Sequence, residues 1–164
     1  MRVSTVAHII VGAPIGCALL TGLGMGCAYG TGLSETAEQL HADTHALLGD
    51  AAERLGPAGA RPRVLADLIR RCASGRARWE FRGWVPLRAG PDSRIVLDQA
   101  TDVSLTMVSA RGYRLERPPR GEGKRRRSFV MSREAPPITM VIRLRGGRQS
   151  FLELAATTPC LSPR

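Results

Sequence analysis

The chain has 164 residues, with 24 Lys or Arg against 14 Asp or Glu, which gives a formal net charge of +10. This length allows one domain plus a leader, and the apolar content of 43% is sufficient for a globular core. From residue 61 onward, 22 bases face nine acids, so the second part of the chain favours anionic partners such as phosphate head groups or acidic polymers.

The N-terminal segment has the pattern of an export leader. Arg2 is the only charged residue before Glu35, and residues 6–20 are almost entirely apolar. A membrane-spanning helix needs about 20 apolar residues, whereas a secretory apolar region needs only about 7–15, followed by small residues. We therefore expect residues 1–30 to be a signal peptide or lipoprotein leader, and residues 31–164 to form one extracytoplasmic domain.

Three fates of this leader stay open. The stretch "LGMGC" resembles a lipobox, in which Cys27 becomes the lipidated first residue, although Gly24 and Met25 depart from the usual pattern. The stretch "AYG" before Thr31 offers a different cut, and an uncleaved signal anchor is the third possibility. Membrane anchoring, by lipid or by anchor, is favoured over free secretion.

Two cysteines, Cys72 and Cys160, remain after the leader. Two cysteines in an exported chain usually pair. The loop between them is long, so a bond would stabilise the fold by roughly 4–5 kcal/mol through the entropy of the unfolded chain. The sequence predicts a disulfide that joins the entry of the first strand to the exit of the last.

The first predicted element is an amphipathic helix over residues 34–55, whose apolar residues recur at steps of three and four. Gly56 and Pro57 end it. A second, short helix is expected over residues 64–72, where "VLADLIRRC" places apolar residues in helical register.

Period-two alternation in "RARWEFRGWVPL" predicts a half-buried strand. Residues 93–111 fit a helix or a strand, and Asp92 and Gly112 as caps favour the helix. Further segments complete the pattern: strands at "YRLE" and "SFVMS", an exposed connection "PPRGEGKRRR" between them, and a hairpin over residues 138–157 that turns at Gly146-Gly147. The order predicts an α+β fold, with an N-terminal helix and helices packed on one face of a small antiparallel sheet.

The order of four features resembles that of small lipoproteins of actinobacteria. These features are the cysteine-bearing leader, the Trp-containing strand, the helix ending in "ARGY" and the hairpin closing near "TTPC". The biochemical activity of that group is generally unassigned. The resemblance implies an envelope location and carries over no catalytic residue.

His41 and His45, one helical turn apart in "HADTH", could clamp a transition metal. A solvated helix surface is the simpler interpretation of two ligands, so the sequence predicts no metal and no cofactor. The zinc-protease pattern is absent because Ala42 stands where that motif needs Glu.

Residues Lys124, Arg125, Arg126 and Arg127 form a dense basic tract. Nucleic-acid binding is not expected, because aromatic stacking residues are lacking beside the tract. Contact with anionic lipid or an envelope polymer, or a merely solvated loop, fits better.

The sequence shows no pair of a nucleophile and a base, so we expect a non-enzymatic envelope protein. The alternative is a secreted module that binds an anionic ligand, and a metal-binding protein built on His41 and His45 ranks third.

Overall fold

The computed structural model describes residues 33–90, 92–121 and 125–162. These residues form a mixed α+β fold of two helices and a six-stranded antiparallel sheet, which confirms the predicted fold class at this level. The elements are, in chain order, α1 (Leu33–Leu55), β1 (Arg63–Arg71), β2 (Ala77–Pro86), α2 (Ser93–Ser109), β3 (Arg114–Gly121), β4 (Arg126–Arg133), β5 (Ile138–Arg145) and β6 (Phe151–Thr157). The leader, with Cys27, lies outside the described residues.

The strands are arranged in the order β1-β2-β6-β5-β4-β3, and every neighbouring pair is antiparallel. The last strand, β6, therefore occupies the centre of the sheet between β2 and β5. This placement gives β6 a hydrogen-bonded partner strand on each side. The pair β1-β2 therefore joins the rest of the sheet through β6.

Side chains alternate along the strands, and one side of the sheet holds the core. We call this the inner side. Its largest fully buried side chains include Phe81, Phe129, Met140, Ile142 and Leu154. Alternation of this kind is expected for an antiparallel sheet that packs on one side.

Helix α1 buries the predicted stripe, including Leu40, Leu47 and Leu48, against β2 and β6. Thr44 is also fully buried, and its hydroxyl donates to the carbonyl of Leu40 at 2.7 Å. Leu48 lies directly against Gly83 of β2, where a larger residue would collide with it. The helix predicted over residues 34–55 is confirmed.

Helix α2 settles the ambiguity of residues 93–111 in favour of the helix. The carboxylate of Asp92 accepts from the backbone N–H of Arg94 at 2.7 Å, which makes Asp92 the N-cap. The C-cap is Ala110 and not the predicted Gly112, because the helix ends at Ser109. Gly112 follows two residues after the cap with a φ of +80°, a left-handed conformation that favours glycine where the chain turns away from a helix.

The short helix predicted over residues 64–72 is wrong, because this segment is the edge strand β1. It pairs with β2 along its length, with Ile69 opposite Trp79. The apolar residues that suggested a helical face are exposed, by 60% for Leu65 and 57% for Ile69. An edge strand that buries neither side has no alternation to reveal it, so pairing with β2 decided the structure of this segment.

Strands β3 and β4 are longer than predicted. Residues 118–121 belong to β3, and Arg126 and Arg127 begin β4, so the exposed connection is shorter than the sequence suggested. The β5–β6 hairpin is confirmed, with Arg145 opposite Phe151. Gly147 in its turn has a φ of +135°.

The disulfide between Cys72 and Cys160 is confirmed, with Cα atoms 6.2 Å apart and a sequence separation of 88. It fastens the end of β1 to the segment that follows β6. Disulfides persist mainly in oxidising compartments, so the bond is consistent with an extracytoplasmic location. Among the residues described, neither helix is both long and apolar enough to cross a membrane.

Candidate anion-binding face

The side of the sheet opposite the inner side is rich in arginine. We call it the open face and define it by ten residues that alternate with the buried ones or lie opposite such residues in neighbouring strands. They are Arg70, Arg78, Glu80, Arg82, Trp84, Arg126, Arg143, Arg145, Phe151 and Glu153. Six arginines against two glutamates leave this set with a surplus of four positive charges.

The two glutamates each bridge two arginines. Glu80 accepts from Arg70 and Arg78, at 2.6 Å in both cases. The carboxylate of Glu153 contacts Arg82 at 2.6 Å and Arg143 at 3.5 Å. Because these guanidinium groups remain about half exposed, they keep N–H donors available for an external anion.

Two aromatic residues stand among these arginines. Trp84 and Phe151 are half-buried, with ring centroids 6.2 Å apart in an edge-on arrangement. The guanidinium of Arg63 lies 5.3 Å from the Trp84 ring centroid, and that of Arg145 lies 6.0 Å from the Phe151 centroid. These rings and Arg82 line a groove of about 700 Å³. The groove combines apolar ring surface with cationic rims.

The basic tract extends this groove. Arg125, Arg126, Arg145 and Arg148 line a wide, adjoining depression of about 1070 Å³ beside the β5–β6 turn. Lys124, the other predicted member, lies outside the described residues. The register places Arg126 directly opposite Arg145, so two like charges sit side by side. Both guanidinium groups therefore lie on the same stretch of the open face.

Arg127 takes a different position from its neighbours in the tract. Its side chain is only 15% exposed and its Nη2 lies 3.0 Å from the carboxylate of Asp98 on α2. In the register Arg127 faces Leu144, an inner-side residue. This arginine therefore links β4 to α2.

A polar cluster on the inner side shows how arginine is used where it is buried. Arg133 of β4, whose side chain is 13% exposed, reaches the carboxylate of Asp43 at 2.9 Å. The hydroxyl of Tyr113 donates to the same carboxylate at 3.2 Å, and the Arg133 guanidinium lies 4.7 Å from the Tyr113 ring centroid. Burial, more than any charged neighbour, raises the pKa of Tyr113 above its ordinary value.

The histidine pair is exposed, as its position beside the apolar stripe implies. The side chains of His41 and His45 are 55% and 41% exposed. The fold adds a third group that the sequence analysis did not associate with them, because Asp67 of β1 lies against both rings. With residues 64–72 assigned to a helix, the pairing of β1 with β2 that brings Asp67 here could not be anticipated.

The sequence analysis did not predict the open face as one surface, although part of its pattern is present in the sequence. In "RARWEFRGW" the charged residues alternate with large apolar ones, which marks one side of a strand as polar. The alignment of Arg126 with Arg145 and of Trp84 beside Phe151 depends on the β2-β6-β5-β4 order. Long-range pairing of this kind has no local sequence signal.

Searches against protein-family models, curated proteins and solved structures gave no match to this chain.

Proposed function

We propose that this protein is a non-enzymatic, extracytoplasmic binding protein that lies with its open face on an anionic membrane surface. In this proposal the two helices cover one face of the sheet and the arginine-rich face is left to the membrane. The lipid or anchor at the leader, with Cys27 as the lipidated residue, tethers the chain to the same membrane.

The observation that carries the proposal is the presence of six arginines on the same face of the sheet as Trp84 and Phe151. Guanidinium groups bind phosphate through paired N–H donors. Trp and other amphipathic aromatic side chains are enriched at the boundary between head groups and acyl chains. A cationic surface with a groove lined by two aromatic rings therefore matches a phospholipid surface in both charge and polarity.

The Arg126–Arg145 pair supports the same ligand chemistry. The two side chains lie opposite each other on neighbouring strands, so one phosphate group between them could accept N–H donors from both. Each basic residue near an anionic membrane contributes about 1 kcal/mol to binding. Several such residues on one face are enough for measurable association without any single deep pocket.

The test is co-sedimentation of the purified full-length protein with phosphatidylcholine vesicles, with and without phosphatidylglycerol, at low and high salt. Comparing the two vesicle types in each variant removes the contribution of the tether. We call the extra affinity for phosphatidylglycerol vesicles over phosphatidylcholine vesicles the anionic component of binding. The double substitution Arg126→Gln/Arg145→Gln should weaken this component about ten- to thirty-fold at low salt. High salt should likewise weaken the binding of the wild-type protein to anionic vesicles.

The matched control is Arg54→Gln/Arg94→Gln, which removes two exposed charges from the helices instead. It should change the anionic component much less than the sheet pair does. Equal losses in the two double variants would contradict the proposal, because net charge alone would then explain binding.

A parallel arm uses an anionic soluble polymer, a short single-stranded oligonucleotide, as competitor. Binding of the oligonucleotide with the same dependence on Arg126 and Arg145, without preference for anionic vesicles, would overturn the membrane proposal. It would favour the freely secreted anion-binding module.

Trp84 gives an independent readout. Contact of the open face with lipid should shield Trp84 from an aqueous quencher. Trp79 lies on the inner side and is only 4% exposed, so lipid should not change its quenching. The shielding should be lost in Trp84→Phe. Unchanged quenching of Trp84 on anionic vesicles would show that another surface meets the membrane.

A further inference from the structure

We propose that His41, His45 and Asp67 form a binding site for one divalent transition metal ion, with zinc as the reference ion. The site lies between α1 and the edge strand β1, away from the groove that Trp84 and Phe151 line. It is therefore independent of the membrane surface proposed above.

The geometry is that of a converging ligand set. One carboxylate oxygen of Asp67, Oδ2, lies 2.7 Å from Nδ1 of His41 and 3.3 Å from Nε2 of His45. The three ligand atoms all lie within 4.8 Å of one another. Tetrahedral zinc with bonds of 2.0–2.2 Å separates its ligand atoms by roughly 3.3–3.5 Å. The shortest separation therefore has to open by well under 1 Å, and a separation at the 4.8 Å limit has to close by about 1.3 Å, which rotation of the exposed side chains allows.

The donor set has the right chemistry. Imidazole nitrogen with carboxylate oxygen is a combination that suits zinc and neighbouring first-row divalent ions. Three protein ligands leave a fourth position for water or an external ligand, as in zinc sites with two histidines and one carboxylate. The open surface cavity beside His41 and Asp67, lined also by Glu38 and Trp79, gives such a ligand access.

The fold brings the three residues together without a metal. Leu40 and Thr44, which directly precede the two histidines, are fully buried and fix the rotation of α1. The ring of His45 packs edge-on against Phe81, with centroids 5.4 Å apart, and the two imidazole centroids are 4.2 Å apart. Asp67 is opposite Phe81 in the β1–β2 register, so the carboxylate is placed by the sheet.

A hydrogen-bonded staple between helix and strand is the competing interpretation. In that interpretation the imidazole N–H groups donate to Oδ2 of Asp67. In a metal site the same nitrogen atoms and the carboxylate oxygen direct their lone pairs at one cation. Metal affinity separates the two interpretations.

The experiment is calorimetric titration of Zn²⁺ into the full-length protein after treatment with a chelator. The wild-type protein should bind one equivalent. Asp67→Asn and His45→Ala should each bind at least about tenfold more weakly. The control Asp102→Asn, which removes an exposed carboxylate from α2, should bind as the wild type does.

Thermal unfolding supplies a second readout that does not depend on calorimetric heats. A ligand that binds only the folded state raises the Tm as its concentration increases. Zn²⁺ should therefore raise the Tm of the wild type and of Asp102→Asn, and at the same concentration it should raise that of Asp67→Asn less. The metal-free Tm of each variant shows whether it is folded.

Two results would overturn the proposal. One is the absence of stoichiometric Zn²⁺ binding by the wild type, with no change in its Tm. The other is equal affinity in the wild type and Asp67→Asn, which would mean that the carboxylate is no ligand.

Discussion

The two faces of the sheet use arginine in opposite ways. On the inner side, Arg127 and Arg133 are 15% and 13% exposed, and each meets an aspartate of a helix. On the open face, Arg70 and Arg82 are 59% and 57% exposed and share glutamates with other arginines. Arginines of both faces connect elements of the fold, but only the exposed ones keep N–H donors available to a ligand.

This contrast has an energetic cause. A guanidinium that has left water needs a specific counter-charge, because an uncompensated buried charge is strongly destabilising. A hydrated guanidinium loses little when its partner is removed, since water and salt replace much of the attraction. Substitutions on the inner side should therefore alter stability, whereas substitutions on the open face should alter binding.

The largest expected effect comes from Asp43→Ala. The change leaves the buried Arg133 guanidinium without its carboxylate and Tyr113 without its acceptor. We expect the free energy of unfolding, measured by urea titration, to fall by about 3 kcal/mol.

The matched control on the open face is Glu80→Ala, which also deprives arginines of a carboxylate. Because Arg70 and Arg78 remain hydrated, the expected loss is below about 1 kcal/mol. Equal losses in both variants would remove the distinction between the faces.

An intermediate effect is expected from Gly83→Ala in β2. The added methyl group would collide with Leu48 of α1 on the inner side. Overpacking of this kind typically costs about 1–3 kcal/mol. Calorimetric unfolding should show a lower Tm.

The control for Gly83→Ala is Ala155→Val in β6, a larger addition on the side opposite the core. It should change stability by less than about 0.5 kcal/mol. A Tm for Gly83→Ala equal to that of the wild type would mean that α1 shifts away from the sheet at little cost.

The smallest effect is a pH dependence. Burial raises the pKa of Tyr113 above its ordinary value of 10.0, so ionisation favours the unfolded state. The stability contributed by the neutral hydroxyl is fully present below about pH 10 and is lost as the pH rises further, by at most about 1.4 kcal/mol per pH unit. Urea midpoints measured from about pH 9 to 11 should decline more steeply in the wild type than in Tyr113→Phe. Parallel declines would contradict the assignment.

Several elements of this fold could be predicted from the sequence because their signal is local. The stripe of α1, the N-cap Asp92 of α2 and the alternation around Trp79 each depend on residues that are close together in the chain. The disulfide between Cys72 and Cys160 followed from parity once the leader was set aside. Membrane association, the absence of catalysis and the fate of Cys27 stay predictions.

Only the tertiary structure decided the rest, because the decisive contacts join residues far apart in the chain. Strand β1 shows helical spacing, yet its backbone finds its partners in β2. Asp67 reaches His41 across 26 residues, and Arg126 meets Arg145 because β4 and β5 pair. The sequence by itself determined which residues prefer water and which prefer the core. Hydrogen bonding between strands determined which of the water-facing residues lie next to one another, and both candidate sites depend on those contacts.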